Sequence, residues 1–203
     1  MLQSLEAILS GAIFVIGVIA GIGPQNLNII SHSIRRNHAF TVALMCFLSD
    51  IILIGGGGIG INILQSKVLI LIINIVGAVF MFWYIGTKVY SLFKPHSKYH
   101  VGSAMLTKNQ AIFRALAFTW LNPLVIIDTI VIIGGASSHY QGVSLFKFLT
   151  GALLGDFIWI FGLYKLAEIF ADKLNQVWIW ITLDVMTIII MGVILYKIMI
   201  FLV

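Results

Sequence analysis

The sequence predicts an all-α integral membrane protein of six transmembrane helices, a single membrane domain over residues 1–203. Three observations carry this. Apolar residues make up 61% of the chain and charged residues 9%, too little polar surface to clothe a soluble globule. The apolar residues gather into runs of about 20 or more, the length that crosses a bilayer. Polar or charged connectors separate the runs, as they do between membrane spans.

Hydropathy places the spans at residues 4–31, 39–64, 67–93, 110–134, 144–170 and 177–202. The first has neither the basic leader region nor the small-residue cleavage site of a secretory signal, so it is expected to remain. It is interrupted by "GIGPQN", residues 21–26. Proline removes a backbone donor and crowds the preceding turn, and Gly21 and Gly23 let the chain leave helical geometry. Carbonyls freed in hydrocarbon cost several kcal/mol each unless satisfied, so a true break belongs inside the protein. Its exposed helix N-terminus could hold an anion such as a carboxylate. A proline kink that only shapes packing is the alternative.

"SIRRNH" closes the first span, and the second carries "SDIILIG" from Ser49 and "GGGGIG" over residues 55–60. Helical spacing aligns Cys46, Asp50, Ile54 and Gly57 on one stripe, and the glycines suggest close helix contact or a hinge. No Lys-Ser or Lys-Thr follows them, so they are no phosphate loop. "QSK" leads to the third span, where Trp83 and Tyr84 before Lys88 suit either an interfacial aromatic belt or core packing. The polar segment 94–109 follows. The fourth span holds "TWLNPLVIIDT", in which Asn122 and Pro123 form a second interruption and Asp128 follows. The connector "SSHYQG" precedes the fifth span with its "GDFIWIFG" from Gly155; after "ADKLNQ" the sixth contains Asp184.

Lys and Arg set the expected orientation. Alternate connectors collect nine on one side (Arg35, Arg36, Lys88, Lys94, Lys98, Lys108, Arg114, Lys165, Lys173) against three on the other (Lys67, Lys147, Lys197). The richer side is cytoplasmic, which puts both termini outside, in the periplasm, and makes 94–109 a cytoplasmic loop. The net charge of +5 is thus spread over connectors, so no nucleic-acid partner is expected; the bilayer is.

The halves, about 1–93 and 110–203, resemble each other weakly. Ser49-Asp50 answers Gly155-Asp156, and Pro24 with Asn26 answers Asn122 with Pro123. An odd number of spans per half would turn the second upside down, a 3+3 inverted repeat with broken helices in spans 1 and 4. Chance likeness of apolar segments is the alternative.

Of the seven acids, Asp50, Asp128, Asp156 and Asp184 fall inside spans and away from their ends, whereas Glu6 and Glu168 lie at span ends. An Asp at a helix centre costs about 2.5 to 3.5 kcal/mol to insert, so these groups should face water, pair with a cation or carry a proton. No Lys or Arg is expected beside them in mid-span, and Asp184 could lie near an interface. Cys46 alone builds no disulfide or metal site. His32, His38, His96, His100 and His139 sit in connectors or near span ends and are expected to be solvated. No metal site, cofactor or catalytic constellation is expected, so the chain is not read as an enzyme.

"GIGPQNLNIISHSIRRNHAFTVALMCFLSDIILIGGGGIG", "TWLNPLVIIDT" and "GDFIWIFGLYKLA" resemble the LysE family of amino-acid exporters over nearly the whole chain. The resemblance implies a bacterial inner-membrane, multi-pass secondary transporter that exports basic amino acids, lysine or arginine. It carries the substrate path onto Gly23, Pro24, Gln25, Asn26, Asp50, Asn122, Pro123 and Asp128. Leu124 and Ile126 stand where arginine-exporting relatives have polar residues, and Asp156 and Asp184 where small or neutral ones are expected. These two acids become candidates for coupling to an ion, a proton first. A basic amino acid would need helix-end amides for its carboxylate and membrane acids for its cationic groups. The alternatives are a carrier of neutral amino acids or a metal cation, or a non-transporting helical scaffold; a homodimer is the assembly to test.

Overall fold

The computed structural model describes residues 2–20, 23–59, 67–93, 105–126, 129, 132–174 and 176–202. Expectations resting on Gly21, His96, His100 and Asp128 lie outside them. The chain is all-helical, with no strand among the described residues. In order come α1 (Leu2–Ile19), α2 (Pro24–Ile34), α3 (Ala39–Ile59), α4 (Lys67–Leu92), α5 (Lys108–Trp120), α6 (Pro123–Ile126), α7 (Gly134–Ser137), α8 (Val143–Ile169), α9 (Ala171–Leu174) and α10 (Val177–Leu202). Three described stretches, Ala39–Gly58, Val143–Ile169 and Val177–Ile200, are long and apolar enough to cross a bilayer. The bent pair Leu5–Ile19 and Pro24–Ile34 adds a fourth if it forms one span.

That pair meets at 84°. Pro24 occupies the first turn of α2, where a missing N–H costs nothing and a fixed φ is already helical, so it starts a helix rather than kinking one. Gly23 lies at φ −95° and ψ 173°, ordinary extended backbone, and a Cβ there would meet nothing within 4 Å. The break therefore does not depend on glycine at position 23. Asn26 supplies what the break removes: its Nδ2 donates to the Ile19 carbonyl at 3.0 Å, satisfying an oxygen at the end of α1. The second interruption is similar in kind. α5 ends at Trp120, and Pro123 opens α6 one residue after Asn122.

Polarity is distributed inside out. Ile13, Phe82 and Phe113 are 69, 74 and 73% exposed, while Gln25, Asn28, Asp50, Asn74, Asn122, Asp156 and Asp184 are buried. An apolar exterior around a polar interior is what a hydrocarbon solvent selects. Trp83 belongs to the exterior and Tyr84 to the core, where it packs edge-on against Phe118 with ring centroids 4.7 Å apart.

α1 and α8 form the closest helix pair. A Cβ on Gly151 would stand 1.9 Å from the Ile8 carbonyl oxygen, one on Gly11 2.1 Å from that of Phe148, and one on Gly155 2.6 Å from that of Ala12. Only glycine lets two backbones approach so far, and Gly151 and Gly155, four apart, lie on one face. The described glycines of "GGGGIG" differ among themselves. Gly55 and Gly56 face open space, whereas a Cβ on Gly58 would stand 2.4 Å from Leu149 Cδ2 of α8. The stripe of Cys46, Asp50, Ile54 and Gly57 is buried as its spacing predicted.

His32 is a correction, because it is buried instead of solvated. α2 continues to Ile34, past the residue, and the turn folds back so that Asn37 N–H donates to His32 O at 3.0 Å while His32 Nδ1–H donates to Asn37 O at 2.7 Å. This double clasp holds a turn in which Arg36 and His38 take left-handed φ of 49° and 52°, a geometry that costs a non-glycine residue roughly 1–2 kcal/mol.

Candidate functional site

The first turn of α2, the middle of α3, the α5–α6 break and the middle of α8 enclose a cavity of about 190 Å³. Its wall brings together Gly23, Pro24, Gln25, Asn26, Asp50 and Asn122 from the expected path, and Asp156 from the expected coupling pair. Pro123 follows directly as the first residue of α6. Val18, Ile54, Ile133 and Ile160 form apolar wall, and among its described lining residues there is no Lys, Arg or His.

Gln25 anchors the network. Its Nε2 donates to Asp50 Oδ2 at 3.0 Å, and its Oε1 lies 3.4 Å from the Thr119 hydroxyl, which can also donate to Ala115 O at 3.2 Å. One amide thus fixes the Asp50 carboxylate against α2 and ties α2 to α5. A hydrogen bond to a charged group is worth about 1.5–3 kcal/mol, less than a full counter-charge supplies. Ser49, beside Asp50, donates to Met45 O at 2.9 Å and accepts from Trp120 Nε1 at 3.2 Å. Across the cavity, buried Asp156 Oδ2 and Trp159 Nε1 have no hydrogen-bond partner among the described residues, leaving one acceptor and one donor beside the space. The polar groups answer a solute with several donors.

Sequence reasoning overlooked Trp159 and Thr119. Trp159 stands three residues after Asp156 in "GDFIWIFG", so helical spacing alone puts both on one face. Thr119 precedes Asn122 by three residues on a helix whose end was already marked, and the same rule would have reached it.

Asp184 does not join this cavity. It forms an ion pair with Lys88 of α4, and the expectation that no basic residue sits beside the membrane acids fails here. Lys88 lies four residues before the end of α4, and its long stem carries the ammonium to α10. The pair belongs to a separate, smaller pocket of about 80 Å³ with Arg35 and Arg114. Burial holds the Arg35 guanidinium below its ordinary range, and the Arg114 charge adds to this, while Asp184 opposes it.

A mostly apolar cavity that holds two carboxylates between interrupted helices, inside an apolar bundle, has the architecture of a membrane translocator. Comparison with known proteins narrows the class. The family model described as LysE type translocator matches residues 16–200, and the chain belongs to that family. It is a multi-pass membrane translocator and not an enzyme. Among similar proteins, the arginine exporter protein ArgO of Pectobacterium carotovorum subsp. carotovorum (strain PC1) is 34% identical over 172 residues, 82% of this chain and 83% of that protein. The protein of the same name from Salmonella paratyphi C (strain RKS4594) is 33% identical over 166 residues, 79% of this chain and 77% of its own. That from Escherichia coli O157:H7 is 34% identical over 165 residues, 78% of this chain and 76% of its own. No solved structure matches.

Proposed function

We propose that this chain exports a basic amino acid, arginine first, across the bacterial inner membrane by secondary transport. The observation that carries the reading is the cavity itself. Asp50 and Asp156 line one enclosed space whose described wall contains no basic side chain. Unmatched carboxylates in a low-dielectric interior favour a cationic solute over a neutral one. About 190 Å³ lies below the roughly 300–1,000 Å³ of drug-sized sites and suits a small solute. The relatives named as arginine exporters agree with that preference.

In this reading the path runs over Gly23, Pro24, Gln25, Asn26, Asp50, Asn122, Pro123 and Asp128, and Asp156 carries the coupling proton. The chain forms one transporter domain of six spans with both termini in the periplasm and halves related as inverted repeats. Helix pairing supports the repeat: α1 packs on α8 as α5 packs on α3, while α3 with α8 and α4 with α10 pair across the halves.

Counterflow of labelled arginine into proteoliposomes tests the function. The wild type should exchange arginine and discriminate against neutral amino acids; Asp50→Asn and Asp128→Asn should abolish exchange with insertion intact. Normal exchange in both variants would sink the assignment. For topology, single cysteines between residues 94 and 108 in a variant lacking Cys46 should resist labelling from outside.

A further inference from the structure

We propose that Arg35, Lys88, Arg114 and Asn28 form a second binding site, one that takes the carboxylate of a free amino acid beside the acidic cavity. The pocket of about 80 Å³ is built by the end of α2, α4, α5 and α10. Its described lining residues include three cations and one acid, Asp184, which is ion-paired with Lys88. Two guanidinium groups thus line one small pocket, that of Arg35 from a solvent-exposed residue and that of Arg114 from a half-buried one, and the described carboxylate there sits on the lysine.

Unmet hydrogen-bonding capacity points the same way. Asn28 is only 3% exposed, lines this pocket, and has neither its Oδ1 nor its Nδ2 bonded among the described residues. Arg114 Nε is buried and likewise without a partner among them. A buried amide left in that condition costs free energy unless something in the pocket answers it. Both guanidiniums are held in place: Arg35 Cζ lies 4.3 Å from the Trp180 ring centroid, and Arg114 hydrogen-bonds the Tyr84 hydroxyl with its Cζ 5.3 Å from that ring. Guanidinium forks fixed by aromatic faces, with an amide N–H beside them, match the planar, two-oxygen geometry of a carboxylate.

The pocket is too small for a whole basic amino acid and large enough for its carboxylate end. Pro24 borders both this pocket and the cavity of Asp50 and Asp156. A molecule with a carboxylate at one end and a cation at the other therefore meets opposite fields on the two sides of one residue. The site rests on the amino-acid reading above for the identity of its ligand. Inorganic phosphate and an anionic lipid headgroup offer related oxyanion chemistry, and the test separates them.

The full-length protein in zwitterionic-lipid nanodiscs would be titrated calorimetrically with N-acetylglycine, which has the carboxylate and no cationic group, and with inorganic phosphate. N-acetylglycine should bind the wild type, and Arg114→Gln and Asn28→Ala should each weaken it by about tenfold or more. Arg36→Ala should leave binding unchanged. Unaltered affinity in both pocket variants overturns the proposal, as does phosphate binding without N-acetylglycine binding. Loss of N-acetylglycine binding when phosphatidylglycerol is added to the nanodiscs assigns the site to a lipid headgroup and overturns it too. Thermal unfolding checks that each variant is folded, and Arg35→Gln replaces Arg114→Gln if that variant is not. Wild-type protein that binds N-acetylglycine but shows no amino-acid counterflow would overturn the export reading and leave the pocket standing. Counterflow with wild-type binding in every pocket variant would do the reverse.

Discussion

The two cavities touch the same proline and are opposite in charge. On one side of Pro24, Asp50 and Asp156 face a space whose described wall has no cation, and Asp50 accepts from the Gln25 amide. On the other, Arg35, Lys88 and Arg114 gather around Asp184, and an ion pair is already closed. A buried carboxylate can thus be managed by amides, which leave its charge available to a solute, or by a counter-ion, which spends that charge on the fold. The first arrangement suits transient binding and the second suits structure.

Asp156→Asn should break this contrast most severely. If Asp156 carries the coupling proton as proposed, accumulation driven by a pH gradient should vanish while arginine counterflow persists; gradient-driven uptake in proteoliposomes reads both. Survival of gradient-driven uptake would remove Asp156 from coupling, and loss of counterflow would move it into the substrate site. Lys88→Met comes next. Removing one partner of a largely buried pair strands Asp184 and should destabilise the protein by about 3–5 kcal/mol, and the double variant with Asp184→Asn should recover most of that in thermal unfolding. If Asp184 were as loosely held as Asp50, the single variant would unfold with the wild type.

Gly155→Ala is smaller in effect. Its Cβ would fall 2.6 Å from the Ala12 carbonyl oxygen, so overpacking of about 1–3 kcal/mol is expected, read as a lowered unfolding midpoint. Gly55→Ala, facing open space, serves as the neutral control. Arg36→Ala should matter least. Its 3.2 Å pair with Asp172 is exposed on both sides, and such pairs contribute about 0–1 kcal/mol. A thermal shift as large as that of Lys88→Met would show that exposure does not separate these two kinds of pair.

How far the sequence could be read differs between these regions for a physical reason. The interruptions at Pro24 and at Asn122-Pro123 are local events: a missing donor and a fixed φ act on the residue's own helix, so they are visible without knowing any neighbour. The cost of Asp50 in hydrocarbon is local as well, and it marked the cavity before the fold was known. The Lys88–Asp184 pair joins residues far apart in the chain, and nothing in either segment names the other. Glycine misled in the same way. A run of four drew attention in α3, yet among the described glycines the approaches to another helix's backbone fall on Gly11, Gly151 and Gly155, because they depend on which helix lies opposite. Asn28 escaped notice because one amide in an apolar segment has no meaning until the cations around it are placed.

The backbone contact between α1 and α8 has a mechanical side. Where the carbonyls of Ile8 and Ala12 rest against Gly151 and Gly155, sliding would drive each oxygen into a side-chain-bearing neighbour, so the two helices behave as one beam. Asp156 rides on that beam, whereas Asp50 rides on α3 and is tethered to α2. The two carboxylates therefore sit on different helices, and a shift of α3 against α8 would change the gap between them.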